Sequence, residues 1–321
     1  MTTIQTQNFG VEIEMTGITR ETAATVIAKH YGTNSVKHAG GSYDKYTAKD
    51  TKGRTWQAMT DGSIDAEVKT GKNSRRSAGR SYSCEVVTPI LQYEDIEDLQ
   101  QIIRDLVKEG AIVNDSCGIH IHVDGANHTP ASLVRLLNFA VGRQDLFNEA
   151  LGNERRARWC KNTNKKLLAA LKQYPNITRE ELQRVWYSSV NDDYAGGIST
   201  EHYNSTRYHG VNLHAFFTKG TVEFRLFNST LHAGKIKAYI QFCLAMSAWA
   251  INAKNNLYFK GVGAYTAAQK EKLMKGMLKR RLGMSGPEFK TARLHLTAVF
   301  REKAAAEATQ SAATENTAIS A

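Results

Sequence analysis

Three short segments place charged or metal-binding side chains at every second position: FGVEIEM at 9–15, CGIHIHVD at 117–124 and TVEFRLF at 221–227. Side chains alternate faces along a strand. Glu12 and Glu14 therefore share a face, as do His120, His122 and Asp124, and as do Glu223 and Arg225. The opposite faces read apolar: Val11, Ile13 and Met15; Ile119, Ile121 and Val123; Val222, Phe224 and Leu226. An ordinary half-buried strand carries neutral polar groups and lysine on its wet side. Carboxylates, imidazoles and a guanidinium in those places point to a metal-loaded catalytic face.

Each motif has its own chemistry. Two carboxylates on one strand face repel unless a cation lies between them, and hard cations such as Mg²⁺ take carboxylate oxygens. A salt-bridged, exposed strand face is the alternative for Glu12 and Glu14 taken alone. His120 and His122 can offer imidazole nitrogens to a metal or a phosphate. Glu223 adds a further acid, and Arg225 a planar cation suited to phosphate or carboxylate; a structural Glu–Arg pair is the alternative. Glu85, in SCEVVTPIL, is a fourth acid on a strand, and Asp61 stands in an Asp-Gly turn signal at 61–62. Several acids and a histidine on four strands, with an arginine, suit phosphoryl transfer, where positioning and charge neutralisation do most of the catalysis. There is no P-loop, since Gly71-Lys72 is followed by Asn73, and neither HExxH nor a GxGxxG after a strand is present.

Regular elements must position these groups. The first strand is followed by a helix that Thr19 can cap. SYDKYTA and RTWQAM read as strands, 65–82 as a basic, mobile loop, and SCEVVTPIL as a strand stopped by Pro89. EDIEDLQQIIRDLVKEG is an amphipathic helix with Gly110 at its end, and Thr129-Pro130 opens another. Residues about 130–190 read as mostly helical, with a capping box at Thr178 and Glu181. YHGVNLHAFF and TVEFRLF, joined across Thr218-Lys219-Gly220, read as a β-hairpin. KIKAYIQFCLAMSAWAINAK is a long buried helix, and 301–321, without aromatics or apolar periodicity, reads as a disordered tail. The expected class is α+β: a curved antiparallel sheet with helices on its apolar face and a polar, metal-binding face open to ligands.

Composition bounds the rest. The 321 residues carry a net charge of +11, with 41% hydrophobic and 23% charged residues, which is ordinary for a soluble protein. No apolar run is long enough to span a bilayer and the N-terminus lacks a signal-peptide core, so no membrane partner and a cytoplasmic setting are expected. Cys84, Cys117, Cys160 and Cys243 form no CxxC pair. They read as buried thiols, with Cys160 as an alternative nucleophile. The positive charge, concentrated at 72–80, 154–166 and 269–281, raises nucleic acid as an alternative partner. A divalent-metal hydrolase is a further alternative.

The ordered set FGVEIEM, DGSI, EVVTPIL, CGIHIHVD, YHGVNLHAFF and TVEFRLFNSTL resembles the amidoligase family of the glutamine synthetase/glutamate–cysteine ligase-like (COOH–NH₂ ligase) superfamily. The resemblance spans residues 9 to about 231. It implies an open half-barrel, ATP with two or three Mg²⁺ (or Mn²⁺), and an acyl-phosphate intermediate between a carboxylate and an amine substrate. Glu12, Glu14, Glu85, His120 and Glu223 resemble the metal ligands. His122 would lie near the nucleotide phosphates, and Arg225 resembles the arginine that stabilises the transferring phosphoryl group. Arg207 and Asn212 fall in a family motif region and are candidates for nucleotide binding. Asp61 is the candidate for binding or deprotonating the incoming amine. The expected organisation is one catalytic domain over 1–300, with a helical insertion at about 130–190 and the tail at 301–321.

Overall fold

The computed structural model of the chain describes residues 1–152, 159–190, 198–199, 201, 203–257 and 262–319, with side chains described to residue 310. The N-terminal part runs β1 (Phe9–Met15), α1 (Arg20–His30), β2 (Lys37–Gly40), β3 (Lys45–Lys49), β4 (Thr55–Met59), β5 (Glu67–Lys69), β6 (Arg75–Ser77) and β7 (Cys84–Val87). Next come α2 (Ile96–Lys108), β8 (Gly118–Asp124) and four helices, α3 (Pro130–Gly142), α4 (Gln144–Leu151), α5 (Lys166–Leu171) and α6 (Arg179–Ser189). The chain then forms β9 (Val211–Asn212), α7 (His214–Lys219), β10 (Thr221–Asn228) and α8 (Ala233–Asn252), and closes with α9 (Ala267–Arg280), α10 (Lys290–Leu296) and α11 (Ala298–Ile319). The class is α+β, as the interleaved patterns predict.

Eight strands form one open sheet in the order β2-β3-β4-β7-β1-β8-β10-β9, and every pairing is antiparallel. The sheet does not close into a barrel. Beneath β1 and β8, Val11, Ile13, Met15, Ile119, Ile121 and Val123 are buried. Burial of each such side chain contributes about 2 kcal/mol, which helps offset the desolvation of the acids on the opposite side. Helix α8 covers β8, and α1 covers β3, β4 and β7. Helix α2 repeats its apolar residues at helical spacing (Ile96, Leu99, Ile102, Ile103 and Leu106), and all five are buried.

Four expectations change. The stretch 65–82 is not all loop, because β5 and β6 pair in a separate two-stranded hairpin. The reading of LHAFF as strand is wrong: β9 is two residues long and α7 follows it. Asn212 Oδ1 accepts from the backbone of His214 at 2.8 Å, which turns the chain into the helix. Gly220, at φ 76°, then ends it and returns the chain to β10. The alternation of β10 also breaks. Its register against β8 shifts between Phe224 and Phe227, so Phe227 takes the apolar-face position and stacks on Tyr239 of α8 at 4.2 Å. Finally, the segment read as a disordered tail falls on α11, whose side chains from Arg301 to Gln310 are exposed except for half-buried Ala304. Between Arg301 and Gln310 the helix is alanine-rich, and Lys303 ties it to Glu149 of α4 at 2.9 Å.

Residues 130–190 contain α3 to α6, in agreement with the helical reading. The basic residues at 154–158 lie outside the described residues. All four cysteines are buried free thiols. Among the described residues no helix is long and apolar enough to cross a membrane.

A buried polar chain ties the start of α3 to α8. His128 Nδ1 lies 3.0 Å from Ser132 Oγ, Nε2 lies 2.9 Å from Ser247 Oγ, and Ser247 donates to Gln7 Oε1 at 2.5 Å. Burial, then Arg135, push His128 from 6.5 down to about 4. A histidine with a depressed folded pKa leaves the unfolded chain binding more protons at mildly acid pH. Its stabilising effect is complete above pH 6.5 and is lost as pH falls toward 4. From pH 7 to pH 4.5 this linkage costs about 2–3 kcal/mol. Urea unfolding at the two pH values should therefore show a loss smaller by that amount in His128→Gln. An equal loss in both proteins would refute it.

Candidate active site

Cross-strand pairing assembles the polar face. Glu12 pairs with His120 and Glu14 with Glu85, across β1, β8 and β7. On β10, Glu223 stands opposite both His122 and Asn212. Residues directly opposite one another share a face, so four central strands deliver their acids and imidazoles to one place. Glu14, Glu85, His120, Glu223 and Arg225 are buried, while Glu12 and His122 keep a little access to solvent.

The contacts are close. His120 Nδ1 lies 3.0 Å from Glu12 Oε2 and 3.8 Å from Glu223 Oε1, and its Nε2 lies 3.6 Å from Glu14 Oε1. His122 Nε2 lies 3.2 Å from Glu12 Oε1 and 3.9 Å from Glu223 Oε1, and its Nδ1 lies 2.9 Å from Thr221 Oγ1. Arg225 Nη1 donates to Glu223 Oε1 at 2.5 Å and sits 3.4 Å from His120 Nδ1. Glu14 Oε2 accepts from the Gly118 backbone at 2.5 Å. Asn212 Nδ2 donates to Glu223 Oε2 at 2.6 Å. Both ends of the Asn212 amide are thus engaged within the protein, one holding Glu223 and the other starting α7. Arg207 lies beside the rings of Tyr203 and Tyr208 and lines a 130 Å³ cleft with Asn212, Lys219 and Glu223.

Asp61 also reaches this row. Three sets of side chains bring ligand atoms within 4.8 Å of one another: Glu12, His122 and Glu223; Glu12, Glu85 and His120; and Glu14, Asp61 and Glu85. Glu12 and Glu85 each belong to two sets. Ser63 donates to Asp61 Oδ1 from its backbone at 2.6 Å and its hydroxyl at 2.5 Å, which fixes the carboxylate.

Electrostatics differ sharply across the row. Burial acts to raise Glu12, but His122 and His120 outweigh it and hold the carboxyl well below its ordinary range. Burial likewise opposes ionised Glu223, yet Arg225 and both imidazoles bring it to about 2. Burial, then Arg225, push His120 down to about 4. A neutral imidazole is the form that binds metal. For His122 burial is outweighed by Glu12 and Glu223, and its pKa rises. Glu85 is pushed well up, first by burial and then by Glu12, Glu14 and Asp61.

The residues fit divalent cations. His120 Nε2 and His122 Nε2 are buried and make no well-aligned hydrogen bond, their neighbours being carboxylate oxygens of Glu14 at 3.6 Å and Glu12 at 3.2 Å, an arrangement that a cation between them would satisfy. The crowded acids that raise Glu85 call for positive charge in the same place. An oxygen-rich donor set with one or two imidazoles suits Mg²⁺ or Mn²⁺ better than a thiolate-loving ion.

Alternation alone pointed to most of this set. It missed Thr221, which orients His122, and the Gly118 amide, which holds Glu14; backbone donors leave no trace in residue type. It also missed Trp159, whose carbonyl accepts from Arg225 Nε at 3.4 Å. That contact joins segments far apart in the chain.

Residues 5–247 match the family model described as "Putative amidoligase enzyme". No curated protein matches the chain. Among solved structures, a bifunctional glutathione synthetase from Pasteurella multocida is similar over 96% of this chain and 49% of its own, with 15% identity and a TM-score of 0.39. The chain therefore spans about half the length of that protein. The family match covers most of the chain and every residue of the acid–imidazole row from Glu12 to Arg225, so this chain belongs to the amidoligase family.

Proposed function

We propose that the protein is an ATP- and Mg²⁺-dependent carboxylate–amine ligase that forms an amide or isopeptide bond through an acyl phosphate. One observation carries this reading: three overlapping sets of carboxylates and imidazoles lie on one sheet face, with a buried arginine against them. On this reading Glu12, Glu14, Glu85, His120 and Glu223 hold Mg²⁺ (or Mn²⁺), and the ions neutralise and orient the ATP phosphates. Arg225 and His122 face the γ-phosphoryl group. A substrate carboxylate oxygen attacks the γ-phosphorus as ADP leaves, and Arg225 offsets the charge on the equatorial oxygens. The amine nitrogen then attacks the acyl carbon, inorganic phosphate leaves, and the amine proton passes to a base. Asp61, at the far end of the row from Thr221, is our choice for holding the ammonium and taking that proton. Asn212 keeps Glu223 in place, and Arg207 sits where it can meet an anionic group entering the cleft beside it. We place the chain in the glutamine synthetase/glutamate–cysteine ligase-like superfamily, with residues 1–300 as one catalytic unit.

The test uses the full chain with Mg-ATP and pools of amino acids and short peptides, following ADP and product mass. The expected result is ADP release that needs both Mg²⁺ and a carboxylate, with a product weighing the two substrates less one water. Turnover without ATP would favour a metal hydrolase instead. Absence of ATP binding, together with salt-steep DNA binding that survives substitution of Glu12 and His120, would favour the nucleic-acid reading.

A further inference from the structure

The chain leaves the sheet after Asp61 and returns to the same point at Ser83. Ser83 Oγ donates to the Asp61 carbonyl at 2.7 Å and accepts from the Asp61 N–H at 3.1 Å. Between them stands the β5–β6 hairpin, its foot pinned to the end of β1. Thr16 Oγ1 donates to the Glu67 carbonyl at 2.9 Å and accepts from the Glu67 N–H at 2.8 Å. Asn114 Nδ2 donates to the Asp65 carbonyl at 2.8 Å, and Ser116 Oγ accepts from the Asp65 N–H at 2.9 Å. Val68 is the one apolar side chain of the two strands, so burial does little to hold them together. Their register sets Lys69 directly opposite Arg75, a like-charge pair that costs stability. Arg75 turns aside, donating to the Val113 carbonyl at 2.9 Å and lying 3.4 Å from Glu67. Lys69, Lys72 and Arg76 are exposed and make no ion pair among the described residues. The charge therefore falls in two parts: Asp61 and exposed Asp65 at the foot, cations at the tip.

We propose that this hairpin docks an acidic polypeptide that carries the amine substrate. The free ammonium meets Asp61, and carboxylates farther along the peptide meet Lys69, Lys72 and Arg76. The assignment rests on the ligase reading and on Asp61 as the residue that holds the amine, and it names the class of molecule that brings the amine. A strand rises about 3.3 Å per residue, so the four steps from Asp65 to Lys69 span roughly 13 Å. An extended peptide crosses that distance in about four residues, which brings acidic groups soon after the amine to the tip. A carboxylate seated between Lys69 and Arg75 turns their repulsion into attraction. A nucleic acid matches this surface less well. It carries a negative charge at every step and would set phosphates against Asp61 and Asp65, and the tip offers few cations for counterion release.

The test is fluorescence anisotropy of a peptide labelled at its C-terminus, with a free α-amino group, a short neutral stretch and then a run of glutamates. It needs neither ATP nor Mg²⁺. The full chain should bind this peptide about 10-fold or more tightly than its glutamine counterpart, with a preference that shrinks as salt rises. Lys69→Gln/Lys72→Gln/Arg76→Gln should abolish the preference. Lys272→Gln/Lys279→Gln/Lys290→Gln, which removes as much charge from exposed positions of α9 and α10, should keep it. Acetylating the α-amino group should weaken binding about 3-fold in the wild type and leave Asp61→Asn unaffected. Equal binding of the glutamine peptide, or a hairpin variant that retains the preference, overturns the docking. So does a single-stranded oligonucleotide that binds more tightly than the glutamate peptide and is lost in the hairpin variant, which would make the hairpin a nucleic-acid arm. ADP release with small amines but no binding of the acidic peptide removes the docking and leaves the ligase. Docking of the peptide without ADP release from any substrate pool upholds the hairpin as an acidic-peptide site and removes the ligase reading.

Discussion

Glu12→Gln lowers Mg-dependent ADP formation by about 10³-fold or more, with the fold retained. Glu12 lies 3.0 and 3.2 Å from the two imidazoles, nearer than Glu223 at 3.8 and 3.9 Å, and it belongs to two of the three cation sets. Glutamine keeps the volume and one oxygen but removes the charge, so cation affinity falls in both sets at once. The fold has reason to tolerate the change: Glu12 helps push Glu85 upward, and the variant relieves part of that repulsion. The measurement is ADP release across a Mg²⁺ titration, with far-UV circular dichroism and thermal midpoint as controls. Unchanged ADP formation in Glu12→Gln, or in the Glu12→Gln/Glu14→Gln double variant, would sink the metal assignment.

Arg225 separates catalysis from stability in two substitutions. Arg225→Lys keeps a positive charge beside Glu223 but loses the planar fork, and it should lower ADP formation about 10³-fold while Mg²⁺ still binds. Arg225→Met leaves Glu223 buried without its strongest partner, and should cost about 3–5 kcal/mol in urea unfolding. The pH dependence has a definite sign. Glu223 sits at about 2 in the folded chain against an ordinary 4.5. The pairing therefore stabilises above pH 4.5, and that stabilisation is lost as pH falls through about 2. Losing Arg225 raises the folded pKa, so the Met variant should show a shallower stability change across that window. A Lys variant as active as wild type, or a Met variant as stable, would show that the ion pair does neither job.

Period-2 alternation made the site legible. Each of FGVEIEM, CGIHIHVD and TVEFRLF alternates apolar residues with acids, imidazoles or arginine, so the chemical groups share one side of the strand. That property is local, written in neighbouring residues, and it survives any arrangement of the strands. Helices α2 and α3 were legible for the same reason, through their apolar spacing and their capping residues. Residues 214–219 were misread because apolar spacing over so short a run suits strand and helix alike. Only a side-chain cap from Asn212 and the left-handed turn at Gly220 decide between them.

Strand order and register belong to the tertiary structure alone. No local feature says that β1 lies between β7 and β8, and that placement is what sets Glu12 against His120 and Glu14 against Glu85. A slip of one residue would turn every acid toward the core. The same holds for Asp61, an ordinary turn residue by sequence that joins Glu14 and Glu85. Residue types and their alternation set which groups share the polar side of the sheet. Long-range pairing, stabilised by the core under the sheet, set which of them meet.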